Sequence, residues 1–133
     1  IKAYIEIDKH RLELGKVASV LIKLPISLYV GWITVATLAN ASVLQTAYDA
    51  DSAWLSFELW TFIKLGIAGL LGVVMLFKKD YVYSLVIMWA AFGISQNHLD
   101  GSSIYGAAIL LVLLLLFVAI YNIALSVFKF KTN

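Results

Sequence analysis

The chain has 133 residues, 62% of them hydrophobic and 14% charged, with a mean hydropathy of +0.93 and a formal net charge of +2. A soluble domain needs about a quarter of its residues charged to cover its surface, so this composition excludes a water-soluble module and makes lipid the solvent. There is no cysteine, which removes disulfides and thiolate metal centres, and the length allows one membrane domain over residues 1–133.

Residues 1–24 mix charged and apolar side chains. Ile5, Leu12, Val17, Val20 and Leu21 fall at helical spacing, which suits a helix lying on the membrane face. A cytoplasmic connector is the plainer reading and the preferred one. The segment lacks the apolar run of a signal peptide, and Ile1 reads as a start inside a longer protein.

The first span is expected over about residues 26–48, with Pro25 in its first turn, where a missing N–H costs nothing. A helix running back through Lys16 would instead hold Pro25 inside it, as a kink. A polar turn with Asp49 and Asp51 follows. The second span covers about 59–77 and is closed by Lys78, Lys79 and Asp80. The third, about 81–96, is short for a bilayer at about 1.5 Å per residue. The polar run around His98, Asp100 and Gly101 leads into the fourth, about 104–128. The expected fold is therefore all-α: a polytopic bundle with four transmembrane spans.

The basic residues support the same count. Lys2, Lys9, Arg11, Lys16 and Lys23 precede the first span, Lys78 and Lys79 follow the second, and Lys129 and Lys131 follow the fourth. The other two loops hold Asp49, Asp51, Glu58 and Asp100 and no base. Four spans put all these bases on one side, which the positive-inside rule makes cytoplasmic for both chain ends. Tyr48, Trp54, Trp60 and Tyr105 then form an outer aromatic belt, with Tyr29, Tyr81, Tyr83 and Tyr121 towards the inner one.

Signs of catalysis are weak, and no enzyme activity is expected. His10 and His98 stand apart, and His98 with Asp100 makes half a metal site at best. Lys64 is the base inside a span, about 7–8 Å from the outer end. It is expected to snorkel to the headgroups, towards Glu58, or to serve as counter-charge for an anionic ligand. Gly66, Gly69 and Gly72, with Ala68, offer a small-residue surface that seats a neighbouring helix. Asn122 and Ser126 read as packing residues of the same kind.

The stretch LPISLYVGWITVATLANASVL is the most informative. Trp32, Ala36 and Asn40 recur at i, i+4 and i+8, with Tyr29 three before Trp32, so one helix face carries two rings, a gap and a carboxamide. Asn40 falls near mid-span, where an amide needs a partner from another helix, a water or a ligand. Trp32, Ala36, Thr37 and Asn40 also stand at the spacing Trp-x-x-x-Ala-Thr-x-x-Asn. That spacing resembles the fifth helix of the tryptophan-rich sensory protein family, the TspO or peripheral benzodiazepine receptor-like membrane proteins. The fuller run is similar to a longer branch in which further spans follow that helix.

The resemblance implies a helical membrane receptor with a pocket for a tetrapyrrole such as a porphyrin, or for a sterol-like ligand, and four more helices upstream of Ile1. Trp32 and Tyr29 would pack on the ligand, Ala36 would leave room, and Thr37 and Asn40 would make polar contacts. The alternative is an accessory subunit of a larger membrane complex, in which this face packs on other helices or on pigments. Expected partners are the bilayer, an apolar ligand, and a homo-oligomer or larger assembly, with no nucleic acid.

Overall fold

The computed structural model describes residues 16–47, 56–97 and 102–131. They form four helices: α1 (Lys16–Ala47), α2 (Phe57–Phe77), α3 (Tyr81–Gln96) and α4 (Ser103–Lys131). Among the described residues there is no strand. Three of the helices are long and apolar enough to cross a membrane, over Val20–Gln45, Phe57–Phe77 and Ser103–Phe128, and α3 is a shorter apolar helix. The expected all-α bundle is what the chain forms.

Side-chain caps start three of these helices. Ser56 accepts from the Leu59 N–H at 3.3 Å, Asp80 from that of Tyr83 at 3.2 Å, and Ser102 from that of Tyr105 at 3.3 Å. Each satisfies an amide that the first turn leaves without an intrahelical acceptor. Helix α2 ends by turning Lys79 into the left-handed region at φ 59°, while the amides of Lys79 and Asp80 bond back to Leu76 and Met75, each at 2.9 Å. This double closure reverses the chain in three residues.

Helix α1 begins earlier than the sequence suggested. It is continuous from Lys16, so Pro25 lies inside it and not in its first turn. Residues 17–24 therefore belong to the long helix, while Ile5, Leu12, His10 and the rest of 1–15 lie outside the described residues. Pro25 has no N–H for the Leu21 carbonyl, which loses its helical partner.

The helices alternate in direction. Ser27 meets Asp80 and Thr34 meets Tyr83, so α1 and α3 run the same way. Gly69 faces Leu111 and Gly72 faces Leu115, so α2 and α4 run together, opposite to the first pair. Helix α3 packs against all three others, whereas α1 leans on α3 and touches α2 only slightly. Residues 16–26 of α1 and the last turns of α4 extend past the α2–α3 turn on the same side.

The core explains two sequence signals and corrects others. At Gly69 an added Cβ would sit 2.6 Å from a Leu111 methyl, and at Gly72 3.0 Å from one of Leu115, so α4 lies close against α2 at these two positions. Gly66 is outside it, with nothing within 4 Å of such a Cβ. Gly31 does the same for α1, where a Cβ would lie 3.1 Å from that of Val86. Tyr83 is not an interfacial belt residue. It is 3% exposed, and its hydroxyl donates to Thr34 Oγ1 at 3.0 Å. Asn122 and Ser126 bond to the carbonyls of Val118 and Asn122 within their own helix, at 3.0 and 2.9 Å, and not across to another.

A polar seam crosses this apolar core. The Ser27 hydroxyl donates to Asp80 Oδ2 at 2.7 Å, and the Ser84 hydroxyl donates to the Gly72 carbonyl at 2.8 Å. Asp80 is 3% exposed, and Ser27 and Ser84 are buried with it. Three helices thus meet at one carboxylate-bearing turn.

Candidate ligand cavity

Because α1 rests on α3 and stands away from α2, a cavity of about 900 Å³ opens between these helices, with Leu111 of α4 at its back. Leu28, Val35 and Leu38 line it from α1, Leu65 and Ala68 from α2, and Ile87 and Ala91 from α3. Trp32 and Trp89 flank it and are 61% and 76% exposed. A shallower hollow of about 400 Å³ adjoins it, formed by Pro25, Leu28, Tyr29, Trp32 and Val86.

One end of the cavity is polar. Ser42, Thr61, Lys64, Gln96 and Asn97 lie there. The Lys64 ammonium donates to Ser42 Oγ at 2.6 Å and to Gln45 Oε1 at 3.2 Å, and it stands 6.0 Å from the Phe57 ring centroid. It does not reach for Glu58, whose carboxylate accepts from the Ser103 hydroxyl at 3.0 Å. The Ser42 hydroxyl is spent on the Leu38 carbonyl at 3.3 Å, and that of Thr61 on Phe57 at 3.0 Å.

The five expected ligand residues divide around α1. Trp32 lines the main cavity, Tyr29 only the adjoining hollow, and Ala36 is half-buried. Thr37 and Asn40 are exposed on the outer face. The Thr37 hydroxyl returns to the Ile33 carbonyl at 2.8 Å, and among the described residues Asn40 has no hydrogen-bond partner. Trp89, Ser42, Gln45, Gln96 and Asn97 were not foreseen. Their signal was present in part, since Trp32, Val35, Ala39 and Ser42 follow at i, i+3, i+7 and i+10. No group of three His, Cys, Asp or Glu that could hold a metal occurs among the described residues, and His98 and Asp100 lie outside them.

A bundle of apolar helices, three of them long enough to cross a bilayer, defines a polytopic integral membrane protein with a mostly apolar cavity between its helices. The chain belongs to the family of TSPO-like proteins, whose model matches residues 1–121. That match takes in α1, α2, α3 and most of α4, far beyond the twenty residues in which the sequence resemblance was visible. No curated protein and no solved structure matches the chain.

Proposed function

We propose that this TSPO-like membrane protein binds a tetrapyrrole, or an apolar ligand of similar size, in the cavity between α1, α2 and α3. The observation that carries this reading is the cavity itself. Its volume of about 900 Å³ lies within the range of small-molecule sites, and its walls are apolar with a few polar groups at one end. Trp32 and Trp89 offer ring faces at its sides, and Tyr29 extends the Trp32 wall into the adjoining hollow. Ala36, Thr37 and Asn40 line neither hollow and lie outside the binding volume.

Titration of protoporphyrin into the purified protein, followed by porphyrin absorbance and tryptophan quenching, tests this. Trp32→Ala should weaken binding about tenfold through lost aromatic contact area. Asn40→Leu should leave the titration unchanged. Absence of binding by any variant would remove the reading.

Asn40 favours a second reading, that of an accessory subunit. A carboxamide on the outer face of a mid-membrane helix is costly unless another helix supplies a partner. On that reading Asn40→Leu loosens an assembly and has no ligand phenotype.

The orientation that fits the charges has both chain ends cytoplasmic. Lys23 stands one turn before Ser27, which meets the turn bearing Lys78 and Lys79, and α4 also ends on that side. The chain has no cysteine, so single cysteines report cleanly. Ser52→Cys and Ser102→Cys should both react with an impermeant maleimide from outside. Labelling at one site only would overturn the four-span arrangement, and protection of both would invert it.

A further inference from the structure

Lys64 enters the bundle at hydrocarbon depth, about 10 Å along α2 from Phe57. Among the described residues no carboxylate pairs with it, since Glu58 is taken by Ser103. Its two bonds go to neutral oxygens of α1, those of Ser42 and Gln45. An ammonium carries three N–H groups, so one donor and the whole charge are left over.

The neighbouring amide adds to this surplus. Gln45 must present its oxygen to Lys64, because the reversed amide would point N–H groups at a cation. Its Nε2 is consequently turned away, and it is buried without an acceptor. A buried donor left unmade costs more than a made bond returns. Nearby, the hydroxyls of Ser42 and Thr61 are already donated to backbone carbonyls. Among the described residues, this end of the cavity therefore holds unmet donors and an unmet positive charge and has no anion.

We propose that the polar end of the cavity is a carboxylate site, and that its occupant is an amphiphile whose apolar body lies against Trp32 and Trp89 while its acid caps Lys64. The inference rests on the ligand reading above and names the chemical class. A carboxylate has two acceptor oxygens, enough for the spare ammonium donor and the Gln45 amide together. One lysine balances one carboxylate at this end, whereas a phosphate dianion would put both of its charges on a single centre there.

Protoporphyrin and its dimethyl ester separate the two claims, because they share a ring and differ in charge. In detergent, the wild-type chain should bind the free acid about tenfold or more tightly than the ester, as a charge-assisted bond predicts. Lys64→Met should abolish that preference by weakening the acid and leaving the ester within about twofold of wild type. Gln45→Leu should reduce the preference in part. Ester binding by the Lys64→Met chain also shows that the cavity is intact. Equal affinity of the wild-type chain for acid and ester, or an acid preference that survives Lys64→Met, overturns the carboxylate site but leaves the cavity reading standing. Binding of neither compound removes the cavity reading itself. A pairing of Lys64 with Asp49 or Asp51 would appear as an acid preference gained or enlarged in the Asp49→Asn/Asp51→Asn chain, and a preference present only in that chain also overturns the proposal.

Discussion

Gly69→Leu should destabilise the bundle by about 3 kcal/mol or prevent its assembly, the upper part of the usual range for overpacking. The first added carbon already falls 2.6 Å from a Leu111 methyl, and three more must follow it. Leu111 is buried against α2 and can yield only towards the cavity behind it, which a rotamer change does for the first carbon but not for the branched remainder. The remaining response is for α4 to move away from α2. In lipid that is expensive, because close packing replaces the hydrophobic drive that holds soluble helices together. Leu70, one residue on, is 66% exposed, and Leu70→Ala should change little. Gly66→Leu should also be tolerated, since nothing stands within 4 Å of its Cβ position. Thermal unfolding in detergent compares the three. A loss at Gly66 equal to that at Gly69, or no loss at either, would show that α2 and α4 do not meet along this seam.

Asp80→Ala should cost about 2–4 kcal/mol, adding a lost helix cap to a buried hydroxyl left without its acceptor. One carboxylate oxygen caps the start of α3 and the other takes the Ser27 hydroxyl from α1. Helix α1 has little hold on α2, so α3 and this carboxylate carry much of its docking. Amide exchange should therefore accelerate in α1 before it does in α4. Asp80→Asn keeps an acceptor for the cap and a polar group for Ser27, and should lose about half as much. If the alanine variant unfolds within about 0.5 kcal/mol of wild type, the seam at Asp80 does not hold the helices together.

The helices were legible because each needs a long apolar run in lipid, where backbone groups must bond within their own segment. Gly69 and Gly72 were legible for a related reason, as small residues at recurrent spacing mark close approach. The start of α1 was not. Lys16 and Lys23 look like loop residues, yet lysines remain in a helix when it extends beyond the apolar slab. The seam at Asp80 was hidden because its partners, Ser27 and Ser84, are brought together only by the bundle.

The cavity was half legible, and helical rotation explains which half. At about 100° per residue, Asn40 lies about 80° to one side of Trp32 and Ser42 about 80° to the other. The i+4 stripe to Ala36 and Asn40 was followed outward, whereas the i+3 and i+7 stripe turns inward to Val35, Ala39 and Ser42. Trp32 sits where the two diverge. Sequence spacing alone cannot choose between them, because the choice is made by where α3 packs.

The inequality of the helices has a mechanical consequence for the surrounding lipid. Helix α3, with 16 residues, is about 24 Å long, against a hydrocarbon layer of about 30 Å. The spans of α1 and α4, at 26 residues each, reach about 39 Å. No single bilayer thickness suits both. Acyl chains beside Leu85, Trp89 and Phe92 must shorten or splay to meet the α2–α3 turn, while α1 and α4 tilt to fit the same leaflet. Hydrophobic mismatch of this kind costs fractions of a kcal/mol per Å and is enough to sort proteins between membranes. A layer thinned to match α3 would bring headgroups and water down to Lys78, Lys79 and the buried carboxylate behind them.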